Sequence, residues 1–185
     1  MTGWRPRSTR SAIAATSVES RMETIRLGPS FDRYEELLAL ILKSFAYMDG
    51  RIDPPSSSHA LTAESLRRRS EEEIGFAATT GPDIIGCVFC KPEPDCLYIG
   101  KLAIDPAHQG KGLGRRLLAA AEETARSFGL PALRLQTRIE LTENHATFAA
   151  WGFVETSRSA HPDFTRPTSI EMRKTLSTKA TSSKA

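Results

Sequence analysis

The chain has 185 residues, of which 39% are hydrophobic and 25% charged, and its formal net charge is +3. This length fits one domain with a core of its own, and the composition is typical of neither disordered nor fibrous proteins. No window approaches the roughly 18 uninterrupted apolar residues of a membrane-spanning helix, so we expect a soluble protein with no membrane partner. The small net charge indicates no nucleic-acid partner, although it favours a polyanionic ligand.

The three cysteines, Cys87, Cys90 and Cys96, lie close together. Their odd number, without a preceding secretory segment, disfavours a disulfide framework and predicts a reducing, cytoplasmic location. Cys87 and Cys90 have the two-residue gap of a zinc knuckle, but no second Cys or His pair follows at a usable spacing. We therefore expect buried structural thiols and no metal.

The two ends of the chain differ from its middle. Residues 1–21 contain four arginines, one acidic residue and no sustained apolar period. This predicts a disordered arm, with an organelle transit peptide as the alternative. Residues 177–185 are small and polar and predict a flexible tail. A single domain is expected over residues 22–176.

Apolar residues at helical or alternating spacing divide this domain into short elements. Strands are predicted at 24–27, 73–80, 83–91, 96–104, 133–137, 153–156 and 169–174, and helices at 34–45, 63–72, 113–128 and 142–151. The order predicts an α/β (α+β) fold. We expect a mixed, mostly antiparallel sheet of six to seven strands flanked by about four helices.

Helix boundaries have their own signals. Thr62 and Thr142 are predicted to cap the helices that follow them, with Glu143 in the first turn of the last helix. The third helix has the clearest apolar stripe and is ended by Gly129 and Pro131. The stripe comprises Leu113, Leu117, Leu118, Ala121, Ala125 and Phe128.

A glycine-rich turn at 105–115 lies between a predicted strand and this third helix. The first N–H groups of a helix have no partner within the helix, so they can bind phosphate. Glycines let the backbone approach an anion, and basic side chains add positive charge beside the helix dipole. The glycines are Gly110, Gly112 and Gly114, and the basic residues are Lys111, Arg115 and Arg116.

Two other nucleotide-binding motifs do not fit this turn. A nucleoside-triphosphate loop ends in Gly-Lys-Ser/Thr, whereas Gly110 and Lys111 are followed by Gly112. A dinucleotide fold places its glycines early in a parallel sheet, but this turn follows an antiparallel meander. A glycine-rich connection without a ligand stays open as an alternative.

The segment 102–114 resembles the core signature of the GNAT acetyltransferase superfamily, Leu-x-Val-x-Pro-x-x-Arg/Gln-x-x-Gly-x-Gly. Every signature position is filled, with an isoleucine in place of the valine, and the order of elements over 24–174 also matches the family. The matching residues are Leu102, Ile104, Pro106, Gln109, Gly112 and Gly114.

The resemblance implies a GNAT-like fold, acetyl-CoA as cosubstrate and an amine as acceptor. It places the site where strands 96–104 and 133–137 splay apart. Backbone groups of 102–104 would hold the pantetheine arm, and amides of 109–115 would hold the pyrophosphate. The implied cofactor-binding residues are Leu102, Ala103, Ile104, Gln109, Gly110, Lys111, Gly112, Leu113, Gly114, Arg115 and Asn144.

The resemblance also implies catalytic roles, and at several of these positions the chain has a residue that differs from the family's usual one. A backbone N–H near Leu102 or Ala103 would stabilise the oxyanion. The tyrosine that often acts as general acid is replaced by Phe148, so water or no acid at all would serve. The asparagine that often starts the last helix is replaced by Leu141, while Asn144 lies one turn later and could contact the cofactor.

Tyr98 stands at the strand position where some family members carry a glutamate base. It would need a lowered pKa to act directly, or it could order a water; a packed strand tyrosine is the alternative. Other candidate bases are Asp53, Glu93, Asp95 and His161.

The acceptor is expected to enter over residues 49–60 and 157–166, where acids are balanced by arginines. Arg134 and Arg138 could line the site, or form a solvated face.

Three functions remain open. The first is transfer of acetyl to a small primary amine by direct attack in a ternary complex. The second is a non-catalytic acyl-CoA sensor, and the third is acetylation of a protein N-terminus or lysine. A homodimer is left open as the assembly.

Overall fold

The computed structural model describes residues 22–177. The predicted arm at 1–21 and nearly all of the predicted tail lie outside the described residues. Within 22–177 the chain forms seven strands and four α-helices. These are β1 (Met22–Leu27), α1 (Tyr34–Phe45), α2 (Ala63–Glu72), β2 (Ile74–Thr80), β3 (Asp83–Pro92), β4 (Leu97–Ile104), α3 (Leu113–Ser127), β5 (Ala132–Arg138), α4 (Thr142–Ala150), β6 (Val154–Ser159) and β7 (Ser169–Thr175).

All seven strands form one sheet in the order β1-β2-β3-β4-β5-β7-β6. Every neighbouring pair is antiparallel except β4 and β5, which are parallel. A parallel connection needs a crossover, and α3 supplies it. The predicted fold class is confirmed.

The sheet separates two hydrophobic cores, because side chains alternate between its faces. On one face, α3 packs with Leu97 and Ile99 of β4 and with Leu133 and Leu135 of β5. On the other face, α1 and α2 pack with β2, β3 and Ala103 of β4. Aromatic residues at the end of α4 join the α3 face. Any ligand that enters between β4 and β5 therefore lies between two separate cores.

Most element bounds agree with the predictions to within a few residues, and two details differ. Thr62 caps α2 in a capping box with Ser65, as predicted. The predicted cap by Thr142 is wrong, because Leu141 occupies that position and no side-chain cap hydrogen bond is made there. Phe128 was predicted to belong to the apolar stripe of α3, but its side chain is exposed at the end of the helix.

All three cysteines are free and buried. Burial raises the pKa of both the Cys87 and the Cys90 thiols to about 12, so both are neutral and packed at physiological pH. Over residues 22–177, no helix is long and apolar enough to cross a membrane.

Candidate active site

The parallel strands β4 and β5 separate part of the way along their length. Their pairing covers Leu97 with Leu133, Tyr98 with Arg134 and Ile99 with Leu135. Beyond these pairs β4 continues to Ile104 and β5 to Arg138 without pairing to each other. The separation of the two strands that was predicted for this site is present.

A β-bulge in β4 lies where the gap begins. The register with β3 shifts from Phe89 opposite Lys101 to Cys90 opposite Ile99, so Gly100 is an extra residue in β4. A bulge bends its strand and increases the local twist. The bulge is therefore placed to turn β4 away from β5.

The hydrogen-bond pattern decides which backbone groups of β4 face the gap. Asp105 N–H donates to Ile85 O at 2.9 Å, and residues in an antiparallel ladder alternate between bonded and non-bonded positions. Ala103 accordingly points its backbone at β3, whereas Leu102 and Ile104 point theirs at the gap. Of the two predicted oxyanion donors, the geometry favours the N–H of Leu102.

The gap opens into a cavity of about 1190 Å³, somewhat larger than the roughly 300–1,000 Å³ of most ligand pockets. It runs from the glycine-rich turn between the strands to the loop that joins α1 and α2. Predicted site residues in its lining are Tyr98, Leu102, Ile104, Gln109, Gly110, Gly112, Leu113, Gly114, Arg115 and Asn144. Ala103 and Lys111 lie outside the lining: Ala103 is 1% exposed, and the amine of Lys111 donates to Ala107 O.

Glycines in the turn have two different structural roles. Gly110 and Gly112 have φ angles of +75° and +79°, which side chains disfavour, and a Cβ at either would meet open space. A Cβ on Gly114 would instead lie 2.5 Å from Cη2 of Trp151. Gly110 and Gly112 thus shape the turn, and Gly114 lets α3 pack closely against the end of α4.

Basic residues surround this turn, and Asp105 organises it. The Asp105 carboxylate accepts from the Ala107 N–H at 2.9 Å and from Lys43 Nζ at 3.0 and 3.1 Å. The Ala107 N–H and then Lys43 hold the pKa of Asp105 below its usual value. Arg115 donates to Ala150 O at 3.1 Å, at the end of α4. Lys43 and Arg115 line the cavity beside the first turn of α3.

Tyr98 lines the cavity under the guanidinium of Arg134, which lies 4.5 Å from the centroid of its ring. Burial raises the pKa of Tyr98 above its ordinary value, and Arg134 only partly opposes this. A direct base would need a lowered pKa, so this environment favours a neutral phenol that orders a water.

Three of the other candidate bases are held in ion pairs outside the cavity lining. Glu93 accepts from Arg134 at 2.6 and 2.9 Å, and Asp95 accepts from Arg173 at 2.9 Å. Asp53 accepts from Arg166 at 2.9 Å. Their carboxylates neutralise arginines and do not face the gap.

His161 is the remaining candidate base, and it does line the cavity. Its Nε2 lies 3.2 Å from Nη1 of Arg138, and its Nδ1 lies 2.6 Å from Thr168 Oγ1. Since arginine only donates, Nε2 accepts, and a neutral imidazole carries its proton on Nδ1. Burial first, and then Arg138, lowers the pKa of His161.

Tyr47 and Lys101 are cavity-lining groups that the sequence interpretation did not select. Asn144 lies one turn of α4 before Phe148, and its Nδ2 donates to Tyr47 Oη at 2.9 Å. Nothing in the sequence near Tyr47 indicates this contact, which spans 97 residues. Lys101 carried a usable signal, because it is the single charged residue within the apolar strand β4.

The model of the Acetyltransferase (GNAT) family matches residues 35–153, which is more than half of the chain. The chain belongs to this family of acetyltransferases. The matched region contains β4, the glycine-rich turn, β5 and α4, which together form most of the cavity.

Curated relatives match parts of the chain. It is 28% identical over 109 residues to an IAA acetyltransferase of Azospirillum brasilense, covering 57% of this chain and 69% of that protein. It is 37% identical over 89 residues to a mycothiol acetyltransferase of Jonesia denitrificans, covering 46% of this chain. The chain spans only 27% of the mycothiol enzyme.

Solved structures share the fold. The PaiA N-acetyltransferase of Thermoplasma acidophilum, in complex with coenzyme A, has a TM-score of 0.73 at 17% identity, with 84% of this chain and 99% of that chain covered. A GNAT acetyltransferase of Elizabethkingia anophelis with acetyl-CoA bound has a TM-score of 0.62 at 17% identity, with 84% and 98% covered. The family match thus confirms the predicted family and acetyltransferase class, and the solved structures confirm the predicted fold.

Proposed function

We propose that this chain is an N-acetyltransferase that moves acetyl from acetyl-CoA to a primary amine by direct attack in a ternary complex. The observation that carries the proposal is the continuous cavity from the glycine-rich turn through the gap between β4 and β5. An extended thioester and an acceptor can meet there without a covalent enzyme intermediate.

The pyrophosphate of coenzyme A would bind at the first turn of α3. The N–H groups there are unpaired, the helix dipole favours an anion, and Gly110 and Gly112 leave room for it. Arg115 adds positive charge at the same end of the cavity, where the charge of Lys43 is offset by its ion pair with Asp105. The pantetheine arm would then pair with the exposed backbone of Leu102 and Ile104.

Three bond changes complete the transfer. The amine nitrogen attacks the thioester carbonyl carbon, the carbon–sulfur bond breaks, and one proton passes from nitrogen to the departing sulfur. The Leu102 N–H would stabilise the oxyanion; a single donor of this kind is worth about a 100- to 1000-fold rate effect. The products are an acetamide and coenzyme A thiol.

Tyr47 is a proton donor for the thiolate that can replace the tyrosine missing at Phe148. The Asn144 amide already donates to the Tyr47 oxygen, so the phenol keeps its own proton to donate into the cavity. Phe148 itself packs against Trp151 and Phe153. Tyr47 reaches α4 from the segment after α1, so its position supports this role.

Binding is tested by thermal unfolding with and without acetyl-CoA. A ligand at 100 times its Kd stabilises the folded state by about 2.7 kcal/mol. Gly112→Ala and Gly129→Ala form a matched pair, because both residues have left-handed φ angles and open space around a new Cβ. Of the two, only Gly112 lines the cavity, so only Gly112→Ala should weaken the stabilisation by acetyl-CoA.

Turnover separates the proposal from a non-catalytic acyl-CoA sensor, the hypothesis that Phe148 motivates. Thiol release from acetyl-CoA in the presence of a broad panel of amines supports the enzyme. Stabilisation by acetyl-CoA without acetylation of any amine or peptide would establish the sensor instead. Peptide arrays distinguish a small-molecule acceptor from a protein N-terminus or lysine.

A further inference from the structure

Two arginines lie on the same face of β5 in contrasting surroundings. Arg134 and Arg138 are four residues apart on a strand, so both point to the face opposite α3. Arg134 is bracketed by the carboxylates of Glu93 and Glu171 at 2.6 and 2.8 Å. Hydrogen bonding by Glu93 raises the pKa of Arg134. Its charge is neutralised within the fold.

Arg138 has much weaker partners, although its side chain is only 13% exposed. Two of its five N–H groups are used, one to Pro54 O at 2.6 Å and one to His161 Nε2 at 3.2 Å. The nearest carboxylate is that of Glu140, 4.0 Å from Nε and shared with Arg166 at 3.7 Å.

Desolvation of a charge is costly unless it is paired, and burial lowers the pKa of Arg138. In contrast to Arg134, this arginine faces the cavity with spare donors.

Lys101 supplies a second cation on the same face of the sheet. Its Nζ contacts Ser57 Oγ at 3.3 Å and lies 5.9 Å from the centroid of the Phe45 ring. Within residues 22–177, no carboxylate lies within ion-pairing distance of it. Arg138 contacts Pro54 and Lys101 contacts Ser57, and both contacts are made to the loop between α1 and α2. These two loop residues are three positions apart in the chain, and three residues span at most about 11 Å. The two cations therefore flank the same end of the cavity.

The cavity contains two separate cationic groups. Lys43 and Arg115 lie at the turn that would hold the pyrophosphate, whereas Lys101 and Arg138 lie across the gap under the loop between α1 and α2. The one carboxylate in the described lining is that of Glu143, which pairs with Arg51. Coenzyme A phosphates would neutralise the first cationic group, whereas the nearest carboxylate to the second is that of Glu140, 4.0 Å from Arg138 Nε.

We propose that the acceptor is an amine that also carries a carboxylate, such as an amino acid, and that Arg138 binds this carboxylate with Lys101 beside it. The proposal rests on the function proposed above and specifies its acceptor. Arginine suits the role, because its planar fork can donate two parallel hydrogen bonds to a carboxylate.

The same charge arrangement supplies the amine in its reactive form. A cation near an amine disfavours the ammonium and lowers the pKa of the amine. The amine would then bind as the free base, and this acetyltransferase can work without a carboxylate base. Polycationic amines, in contrast, would be repelled from this end of the cavity.

The experiment measures thiol release by the full chain with matched acceptors that differ only in the carboxylate. Each amino acid is compared with its own amide, and spermidine serves as the polycation. The acid should exceed the amide in kcat/KM by about 10- to 100-fold, the usual effect of one hydrogen-bonded ion pair. Arg138→Gln should raise KM for the acid and leave that for the amide unchanged.

The control variant is Arg67→Gln. Arg67 is an exposed arginine that pairs with Glu64 on α2 and lies outside the cavity lining. Its kinetics should match the wild type. If Arg138→Gln fails to fold, Lys101→Gln provides the same comparison from the other strand.

Equal or better turnover of amides or spermidine would overturn the carboxylate site while leaving the acetyltransferase function intact. A loss of acetyl-CoA affinity in Arg138→Gln, with acceptor KM unchanged, would also overturn it, because the cation would then serve the cosubstrate. Failure to acetylate any amine would refute the proposed function, and this inference with it.

Discussion

Gly114 packs against Trp151, and the effect of an alanine at position 114 on stability should depend on whether the indole is present. A Cβ at position 114 would lie 2.5 Å from Trp151 Cη2 and 3.1 Å from Cζ2, closer than real Cβ contacts. Overpacking of this kind costs about 1–3 kcal/mol. Alanine is favoured over glycine within a helix by about 0.5–1 kcal/mol. Gly114→Ala should therefore lower the free energy of unfolding by up to about 2.5 kcal/mol.

A double-mutant cycle with Trp151→Leu isolates the steric part. Without the indole, the helical preference of alanine remains, so Gly114→Ala should become neutral or stabilise by up to about 1 kcal/mol. Urea titrations followed by circular dichroism measure all four proteins without relying on the fluorescence of Trp151. The same loss in both backgrounds would show that the indole does not restrict position 114.

The remaining predictions concern a helix cap, an ion pair and a phenol. Thr62→Ala removes the side chain that accepts from the Ser65 N–H at 3.1 Å, and urea titration should show a loss of about 1 kcal/mol. Because Arg134 lowers the pKa of Glu93, the ionised carboxylate stabilises the fold above its unfolded-state pKa of about 4.3, and this stabilisation is lost as pH falls through the folded pKa. In thermal melts, the advantage of the wild type over Glu93→Gln should be full at pH 7 and shrink below about pH 4.3; an advantage that does not vary with pH would contradict this. Tyr47→Phe should lower kcat at least about 10-fold with KM for acetyl-CoA unchanged, and an unaltered kcat in steady-state assays would exclude Tyr47 as the proton donor.

Catalytic side chains were the part of the site least accessible to sequence interpretation. Glu93 and Asp53 are plausible bases in isolation, yet each is neutralised by an arginine 41 or 113 residues away. Tyr47 reaches Asn144 across 97 residues, and Arg138 reaches Pro54 across 84. Such pairings depend on how distant elements pack, so no local pattern indicates them.

The cap of α4 shows the same limit on a smaller scale. Threonine is a common capping residue, and Thr142 stands at the predicted boundary. The cap position of this helix is nevertheless Leu141, one residue before Thr142. The Leu141 side chain is buried against the loop that follows α1. Burial of a leucine fixed this boundary in place of a side-chain hydrogen bond.

The sequence by itself determined the order of elements, the stripe of α3 and the turn that begins this helix. Each of these follows from spacing within a few residues: helical periodicity, strand alternation, and glycines where φ must be positive. Only the tertiary structure decided that β7 inserts between β5 and β6, that the predicted separation of β4 from β5 begins after Ile99, and that Arg138 faces the cavity with its nearest carboxylate 4.0 Å away. The physical reason is that sheet order, strand separation and charge pairing join residues that are far apart in the chain, and their energies arise only when the whole fold has formed.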